Sequence, residues 1–158
     1  MSTSGAQLID EEALTAIRER LFPLATLLTP NLPELEKLTG ASPKRADEMG
    51  EAAKALAEEV GCAVLAKGGH GEDDRVYDVL ARPGRETVAL SHERIDTVHT
   101  HGTGCTLSSA IATLMGHGLP LENAVAVAQK FVRQAILHAP GYGAGSGPLG
   151  HQAVRSLS

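Results

Sequence analysis

The chain has 158 residues, of which 42% are hydrophobic and 21% are charged, with a net charge of −5. This length suits one domain with an apolar core, and no apolar run is long enough to predict a transmembrane helix. The acidic balance, 19 acidic against 14 basic residues, disfavours nucleic-acid binding through a basic face. Two cysteines far apart in sequence, Cys62 and Cys105, suit a reducing compartment better than a disulfide scaffold, so we expect a cytoplasmic protein. From the charge and the absence of a long apolar run, we expect no nucleic-acid or membrane partner.

The first half of the chain predicts helices and a short apolar strand. Leu14, Ile17 and Leu21 recur at helical spacing and form one apolar stripe. Polar caps, prolines and glycines mark where elements begin and end. The predicted elements are a helix over 10–23, a buried strand over 25–30 ended by Pro30, a helix over 31–40 closed by Gly40, and a helix over 42–61 with Ser42 as its cap, Pro43 in its first turn and Gly61 as its stop.

The second half predicts a buried strand, a hairpin, two helices and a loop. The run "CAVLA" is apolar throughout, as in strands that a parallel sheet buries on both faces. "RVYDVLA" and "ETVALS" flank "RPGR", which predicts a hairpin. The elements are a strand over 62–69, hairpin strands over 75–81 and 86–91, helices from Thr103 to His117 and from Leu121 to His138, and a glycine-rich loop over 140–150.

This order of elements predicts an α/β layer fold with a mainly parallel sheet and one antiparallel excursion. Only two segments read as parallel strands, whereas sheets usually contain about four to six strands. We therefore expect residues 1–158 to form a single partial domain, an incomplete three-layer α/β/α fold that lacks N-terminal strands.

The stretch "HGTGCT" at residues 101–106 stands at the start of a predicted helix. Glycines there leave the first backbone N–H groups unobstructed, and these donors and the helix dipole favour an anion. We expect Cys105 to point its thiol into the same space, where a helix N-terminus would stabilise a thiolate. A tight turn followed by a buried cysteine is the alternative interpretation.

A zinc site is a further alternative for this stretch. His99, His101 and Cys105 lie within seven residues, and alternating histidines on an extended segment face the same side. No second ligand group lies nearby in sequence, and a glycine-rich backbone suits an anion better than a tetrahedral metal. The anion interpretation is therefore favoured.

Two other clusters follow the predicted strands. Asn31 and Glu34, three residues apart, share a helical face that could hold water-bound Mg²⁺ near phosphates. The alternative, which we favour, is that Asn31 caps the helix. Lys67, followed by Gly68 and Gly69, ends a buried strand where α/β sheets bind ligands. Its ammonium is a point charge for a phosphate, or simply an exposed charge at the entrance of the hairpin.

Together, these signals resemble the ribokinase-like superfamily, and most closely the hydroxymethylpyrimidine/phosphomethylpyrimidine kinases of thiamin biosynthesis. The resemblance is carried by "LATLLTPNLPELEKLTG", "AVLAKGGHG", "THGTGCTLSSAIA" and "AILHAPGYGAGSGPLGH". It covers nearly the whole chain, but only the C-terminal portion of that family's chain. The family's glycine-rich pyrimidine-binding segment and its Asp-Pro-Val stretch have no counterpart here.

The resemblance implies a role for each motif. Cys105 matches the position of the catalytic base, and Gly102, Thr103 and Gly104 match the anion hole that faces the transferred phosphoryl group. Lys67, Asn31 and Gly69 match positions that bind the nucleotide ATP, and Glu34 matches a ligand of Mg²⁺ that acts through water. The implied cofactors are ATP and Mg²⁺.

The implied function is ATP-dependent phosphoryl transfer to hydroxymethylpyrimidine or its monophosphate, reduced in a chain of this length. Pyridoxal kinase activity is an alternative on the same scaffold. A third possibility, of a different class, is a non-catalytic fragment that binds ATP or self-associates. Because an incomplete sheet exposes pairing edges, we also expect the strand at 25–29 or the strand at 63–67 to be covered by another chain, as in a homodimer, or by rearranged segments.

Overall fold

A computed structural model describes residues 10–68 and 75–155 of the chain. The chain divides into two compact units, one up to Arg94 and the other from Ile95 onward. The first unit contains two of the clusters that the sequence predicts to be functional, Asn31/Glu34 and Lys67, and the second contains the stretch 101–106. Within the described residues, no helix is long and apolar enough to cross a membrane.

The described residues of the first unit, 10–68 and 75–94, form three helices, a 3₁₀ turn and four strands. The stripe of leucine and isoleucine forms a helix as predicted, and Asp10 caps it by accepting a hydrogen bond from the N–H of Ala13 at 2.8 Å. The elements are α1 (Glu11–Arg20), a 3₁₀ turn (Phe22–Leu24), β1 (Leu27–Leu28), α2 (Leu32–Thr39), α3 (Ala46–Val60), β2 (Ala63–Lys67), β3 (Arg75–Ala81) and β4 (Val88–Glu93).

The four described strands form one mixed sheet in the order β1-β2-β3-β4. β1 pairs with β2 in parallel, with Leu27 opposite Ala63, whereas β2–β3 and β3–β4 are antiparallel. The predicted parallel pair and the predicted hairpin are therefore both present. β2 pairs with β1 on one side and β3 on the other, so the strand at 63–67 has no open edge for another chain to cover.

The core of the first unit lies between α2, α3 and the sheet. Leu35, Leu56 and Val64 are fully buried there, and Val79 is nearly so. β2 is buried along almost its whole length, whereas burial in β4 alternates along the strand. The apolar run of β2 and the alternation in β4 are the patterns expected of a central and a half-exposed strand.

One predicted helix start is wrong. The helix expected from Ser42 begins at Ala46, with Arg45 extended at the N-cap position. The Glu48 carboxylate accepts a hydrogen bond from the backbone N–H of Lys44 at 2.8 Å, so a later residue satisfies the donor that precedes the helix. The other end is as predicted, because Gly61 adopts a left-handed φ of 71° and ends α3.

The second unit contains α4 (Thr103–Gly116), α5 (Leu121–Leu137) and a 3₁₀ turn (His151–Ala153). α4 and α5 pack against each other, and the buried side chains of Leu107, Ile111 and Val125 lie on these helices. Both helices begin where the sequence predicts. The predicted loop over 140–150 contains neither helix nor strand, and it meets the segment before α4 in an isolated bridge between His101 and Pro148.

Candidate functional site

In the first unit, the carboxyl ends of β1 and β2 bring two predicted clusters together. The backbone N–H of Lys67 donates to the carbonyl oxygen of Pro30 at 2.9 Å, and Asn31 and Lys67 form an isolated parallel bridge. The start of the Asn-x-x-Glu turn and the predicted phosphate-binding lysine are thus neighbours. Asn31 and Lys67 are 36 positions apart in the sequence, so their proximity is seen only in the structure.

Asn31 and Glu34 form a reciprocal cap at the start of α2. The Asn31 side chain accepts the N–H of Glu34 at 2.9 Å, and the Glu34 carboxylate accepts the N–H of Asn31 at 2.9 Å. The preference for a cap at Asn31 is therefore confirmed. Such a capping box satisfies two N–H groups that a helix start leaves without partners.

The electrostatic surroundings of Glu34 favour its ionised form. Burial alone raises the pKa of this carboxyl, but the hydrogen bond from the Asn31 N–H and the nearby positive charge of Lys67 are among the causes that lower it, and the pKa lies below its ordinary value. Glu34 is half-buried. An anionic carboxylate thus lies within the field of Lys67.

The end of β2 is held against β3 by a glycine and a buried aspartate. The N–H of Gly68 donates to Oδ1 of Asp78 at 3.0 Å, and Asp78 is only 5% exposed. A Cβ added at Gly68 would lie 2.0 Å from the carbonyl oxygen of Tyr77, so no larger residue fits without a backbone shift. Gly69, the other predicted nucleotide contact, lies outside the described residues.

In the second unit, the predicted anion-binding residues form the start of α4. Gly102 has a left-handed φ of 84° at the N-cap position and offers no side chain as a cap. The N–H of Thr103 donates to the carbonyl oxygen of Thr100 at 3.3 Å. Gly104 and Cys105 follow in the first turn, where helix geometry provides no intrahelical acceptor for the N–H groups. Their placement suits an anion at the positive end of the helix dipole.

The two cysteines lie in opposite environments. Cys105 is exposed in the first turn of α4, whereas Cys62 is buried beside β2. Burial raises the pKa of the Cys62 thiol. The prediction of an accessible Cys105 is confirmed, and its alternative, a buried cysteine after a tight turn, is wrong.

The zinc alternative for the segment 99–105 has no geometric support. No group of three or more His, Cys, Asp or Glu side chains suited to a metal occurs in the part of the chain that the structure describes. His99 is instead close to the glycine-rich loop, because a Cβ at Gly147 would lie 2.4 Å from its Nδ1.

The structure adds polar residues to which we assigned no role from sequence. The only sequence feature that could have pointed to Asp78 is that it is a lone carboxylate in an apolar strand. Thr106 and His151 form a side-chain hydrogen bond of 2.8 Å across 45 residues. His151 ends the string "GPLGH", which contributed to the family resemblance without pointing to this contact.

Comparison with known proteins gives a consistent result. The chain matches the phosphomethylpyrimidine kinase family over residues 1–150. It is 38% identical to a hydroxymethylpyrimidine/phosphomethylpyrimidine kinase of Haemophilus influenzae, covering 99% of this chain and 60% of that protein. A Bacillus subtilis enzyme of the same name is 36% identical, with 100% and 58% covered. The thiamine biosynthesis bifunctional protein ThiED of Geobacter sulfurreducens is 44% identical, with 96% and 31% covered.

Solved structures agree with these relatives. The ADP complex of Bacillus subtilis pyridoxal kinase has a TM-score of 0.85 and 36% identity, covering 94% of this chain and 58% of that one. A phosphomethylpyrimidine kinase of Clostridium difficile has a TM-score of 0.70 and 31% identity, with 86% and 54% covered. The predicted ribokinase-like α/β class is confirmed.

The chain therefore spans less than two thirds of each of these relatives. Its match to the family nevertheless extends over almost its entire length and includes the Asn-x-x-Glu turn, the end of β2 and the start of α4. The chain belongs to the phosphomethylpyrimidine kinase family.

Proposed function

We propose that this chain carries the nucleotide-binding and phosphoryl-transfer portion of a kinase that phosphorylates hydroxymethylpyrimidine or its monophosphate. The observation that carries the proposal is the family match over residues 1–150, with relatives named for this activity. Phosphoryl transfer depends mainly on positioning and charge stabilisation rather than on covalent chemistry by the protein. A backbone anion site and a lysine at the end of a paired strand are groups that such a reaction would use.

The start of α4 would act on the transferred phosphoryl group. The N–H groups of Gly102 and Gly104 would stabilise its negative charge, since donors at a helix start need little reorganisation when charge develops. The N–H of Thr103 would join them by giving up its 3.3 Å bond to the Thr100 carbonyl oxygen. Cys105 would accept the proton of the substrate hydroxyl, and its exposure is what such a role requires. The left-handed Gly102 turns the chain into the helix without a side chain over these donors.

The ends of β1 and β2 would act on the nucleotide and its metal ion. Lys67 would contact a phosphate of ATP, with Asn31 beside it and Gly69 as a further contact. Glu34 fits Mg²⁺ held through water, because its lowered pKa keeps the carboxylate anionic and carboxylate oxygens are ligands that Mg²⁺ prefers. Bound Mg²⁺ supplies charge neutralisation between phosphate oxygens.

Pyridoxal kinase activity is the second candidate function. The structural neighbours include pyridoxal kinases of Bacillus subtilis and Staphylococcus aureus, the latter solved with AMP-PCP and with ADP. The third candidate function is a non-catalytic role in ATP binding or self-association. We also propose that the chain forms a homodimer and is located in the cytoplasm. The free thiols of Cys62 and Cys105 suit a reducing compartment.

Two measurements test the proposal. Coupled ADP release should be fastest with hydroxymethylpyrimidine or its phosphate, slower with pyridoxal, and absent without an acceptor. Titration calorimetry should show ATP-analogue binding of about millimolar strength, because a partial site closes poorly around its ligand. Lys67→Ala should weaken this binding several-fold, whereas Lys54→Ala, an exposed lysine on α3, should not.

Each outcome separates the candidates. Preference for pyridoxal would favour the second function. Nucleotide binding without turnover would favour the non-catalytic role. Identical titration curves for the Lys67→Ala variant and the unmodified chain would remove Lys67 from the site.

A further inference from the structure

The loop before the C-terminal 3₁₀ turn has one exposed part and one anchored part. Residues 141–146 are exposed, whereas Gly147, Leu149 and Gly150 are buried. We call residues 147–151, with the sequence "GPLGH", the C-terminal anchor. The change from exposed to buried within two residues shows that the anchor, rather than the loop tip, makes the contacts.

Backbone contacts hold the C-terminal anchor on two sides. The carbonyl oxygen of Gly147 accepts a hydrogen bond from the N–H of His101 at 3.3 Å, directly before the start of α4. The N–H of Gly150 donates to the carbonyl oxygen of Ala135 on α5 at 2.8 Å. A Cβ at Gly150 would lie 1.9 Å from the carbonyl oxygen of His138. Close backbone approach thus requires glycine at position 150, and the Tyr142 carbonyl oxygen and the His99 ring leave no room for a side chain at position 147.

The last residue of the C-terminal anchor reaches the first turns of α4. Nε2 of His151 lies 2.8 Å from Oγ1 of Thr106, the residue that follows Cys105. The imidazole also stacks on the ring of Phe131 in α5, with centroids 6.1 Å apart and an interplanar angle of 26°. Stacking restricts the ring, so that its nitrogen is held towards the Thr106 hydroxyl.

We propose that His151 is a positioning residue for the start of α4. Through Thr106 it would fix the helical turn that carries the Cys105 thiol and the backbone donors of Gly102–Gly104. This inference rests on the proposed function in that these donors are taken to bind phosphate. The bond needs no particular protonation state, since the hydroxyl can donate to a bare Nε2 or accept from a protonated one.

The geometry favours positioning over mere packing. The hydrogen bond joins side chains that are both at least partly exposed, where water would satisfy either group if the contact were absent. We therefore expect this hydrogen bond to act mainly by orienting the first turn of α4. A small displacement of that turn's backbone donors from a reacting group has a large effect on binding and rate. His117, an exposed histidine at the other end of α4, lies away from this turn.

The test compares His151→Ala with His117→Ala in the full chain. The first readout is amide hydrogen exchange of residues 102–108, which should accelerate in His151→Ala only. The second is protection of Cys105 from iodoacetamide by an ATP analogue, measured peptide by peptide. The half-protecting concentration should rise about fivefold in His151→Ala, the ratio that corresponds to one hydrogen bond.

Partner and rescue variants complete the design. Thr106→Val, which removes only the hydroxyl, should match His151→Ala, and the double variant should be no worse than either single variant. His151→Gln, whose amide can reach the same hydroxyl, should recover most of the protection. If His151→Ala does not fold, Thr106→Val carries the same test.

Three results would overturn the inference. Unchanged exchange at 102–108 would show that the bond does not hold the turn. Faster exchange with an unchanged half-protecting concentration would reduce the contact to packing. If the nucleotide does not protect Cys105 even in the unmodified chain, both the proposed function and the positioning role are wrong. If protection in the unmodified chain is normal and the variants do not differ from it, only the positioning role is wrong.

Discussion

At the scale of single residues, the two thiols differ in exposure and in their place on secondary structure. Cys105 is exposed at the positive end of a helix, and Cys62 is buried among apolar residues that raise its pKa. A thiolate is the reactive form of cysteine, and a buried thiol forms it reluctantly. The sequence alone predicts this contrast, since Cys62 begins an apolar run and Cys105 follows a glycine at a helix start.

Alkylation should therefore label Cys105 well before Cys62 at neutral pH. Iodoacetamide treatment followed by mass spectrometry of the two cysteine peptides measures both rates in one sample. In a full-length form, Cys105→Ser should lose most kinase activity and keep its nucleotide affinity, because a serine hydroxyl is a far weaker base. Faster labelling of Cys62, or near-normal turnover of Cys105→Ser, would contradict the role of Cys105 as the base.

At the scale of elements, α2 is defined by reciprocal contacts at its start and a glycine at its end. The Asn31–Glu34 capping box begins the helix, and Gly40, with a φ of 72°, ends it. Helix caps of this type contribute about 1 kcal/mol to stability. Glu34 is thus a structural group as well as a proposed metal ligand.

The contribution of Glu34 should depend on pH. Its pKa in the folded chain is lowered, so its stabilisation is fully present above the ordinary value of 4.5 and is lost as the pH falls through the folded value. Glu34→Gln keeps an acceptor for the Asn31 N–H but does not titrate. Urea unfolding of both proteins should show a stability difference at neutral pH that shrinks below pH 4.5. A difference that grows on acidification would contradict the lowered pKa.

The loop over 140–150 offers a matched pair of glycines for a second test. Gly150→Ala should destabilise the chain by about 1–3 kcal/mol, since the new methyl group overlaps the His138 carbonyl and the backbone must move. Gly145 has open space around it, so Gly145→Ala should change stability by no more than about 0.5 kcal/mol. Urea unfolding followed by circular dichroism measures the free energy of unfolding of both variants. Equal values would show that the backbone of the C-terminal anchor shifts at little cost to accept the methyl group.

At the scale of the whole molecule, the described part of the sheet leaves β1 at an edge. β1 has only two paired residues and one partner strand within residues 10–68 and 75–155. Leu24, just before β1, is 80% exposed. Unpaired strand edges beside apolar side chains favour association with another chain.

We therefore expect the purified chain to form dimers through the region around β1. Sedimentation velocity over a dilution series should show a concentration-dependent dimer. Leu24→Lys should weaken it, whereas Leu137→Lys, an exposed leucine at the end of α5, should not. A monomer at every concentration would defeat the proposal, and equal effects of the two variants would place the contact elsewhere.

The sequence by itself determined the features that arise from local geometry. Helix ends at Gly40 and Gly61 follow from left-handed φ values that glycine adopts readily, and the cap at Asn31 needs a partner only three residues away. The apolar run of β2 and the hairpin around "RPGR" likewise follow from short-range pattern. The family resemblance also lay in contiguous strings of residues.

Only the tertiary structure decided the contacts between residues distant in sequence. It placed Asn31 beside Lys67, Asp78 under Gly68, and His151 on Thr106, and it set the start of α3 at Ala46 rather than Ser42. Periodicity and propensity describe neighbours along the chain, whereas these contacts depend on which faces are buried together and on where one backbone approaches another closely enough to require glycine.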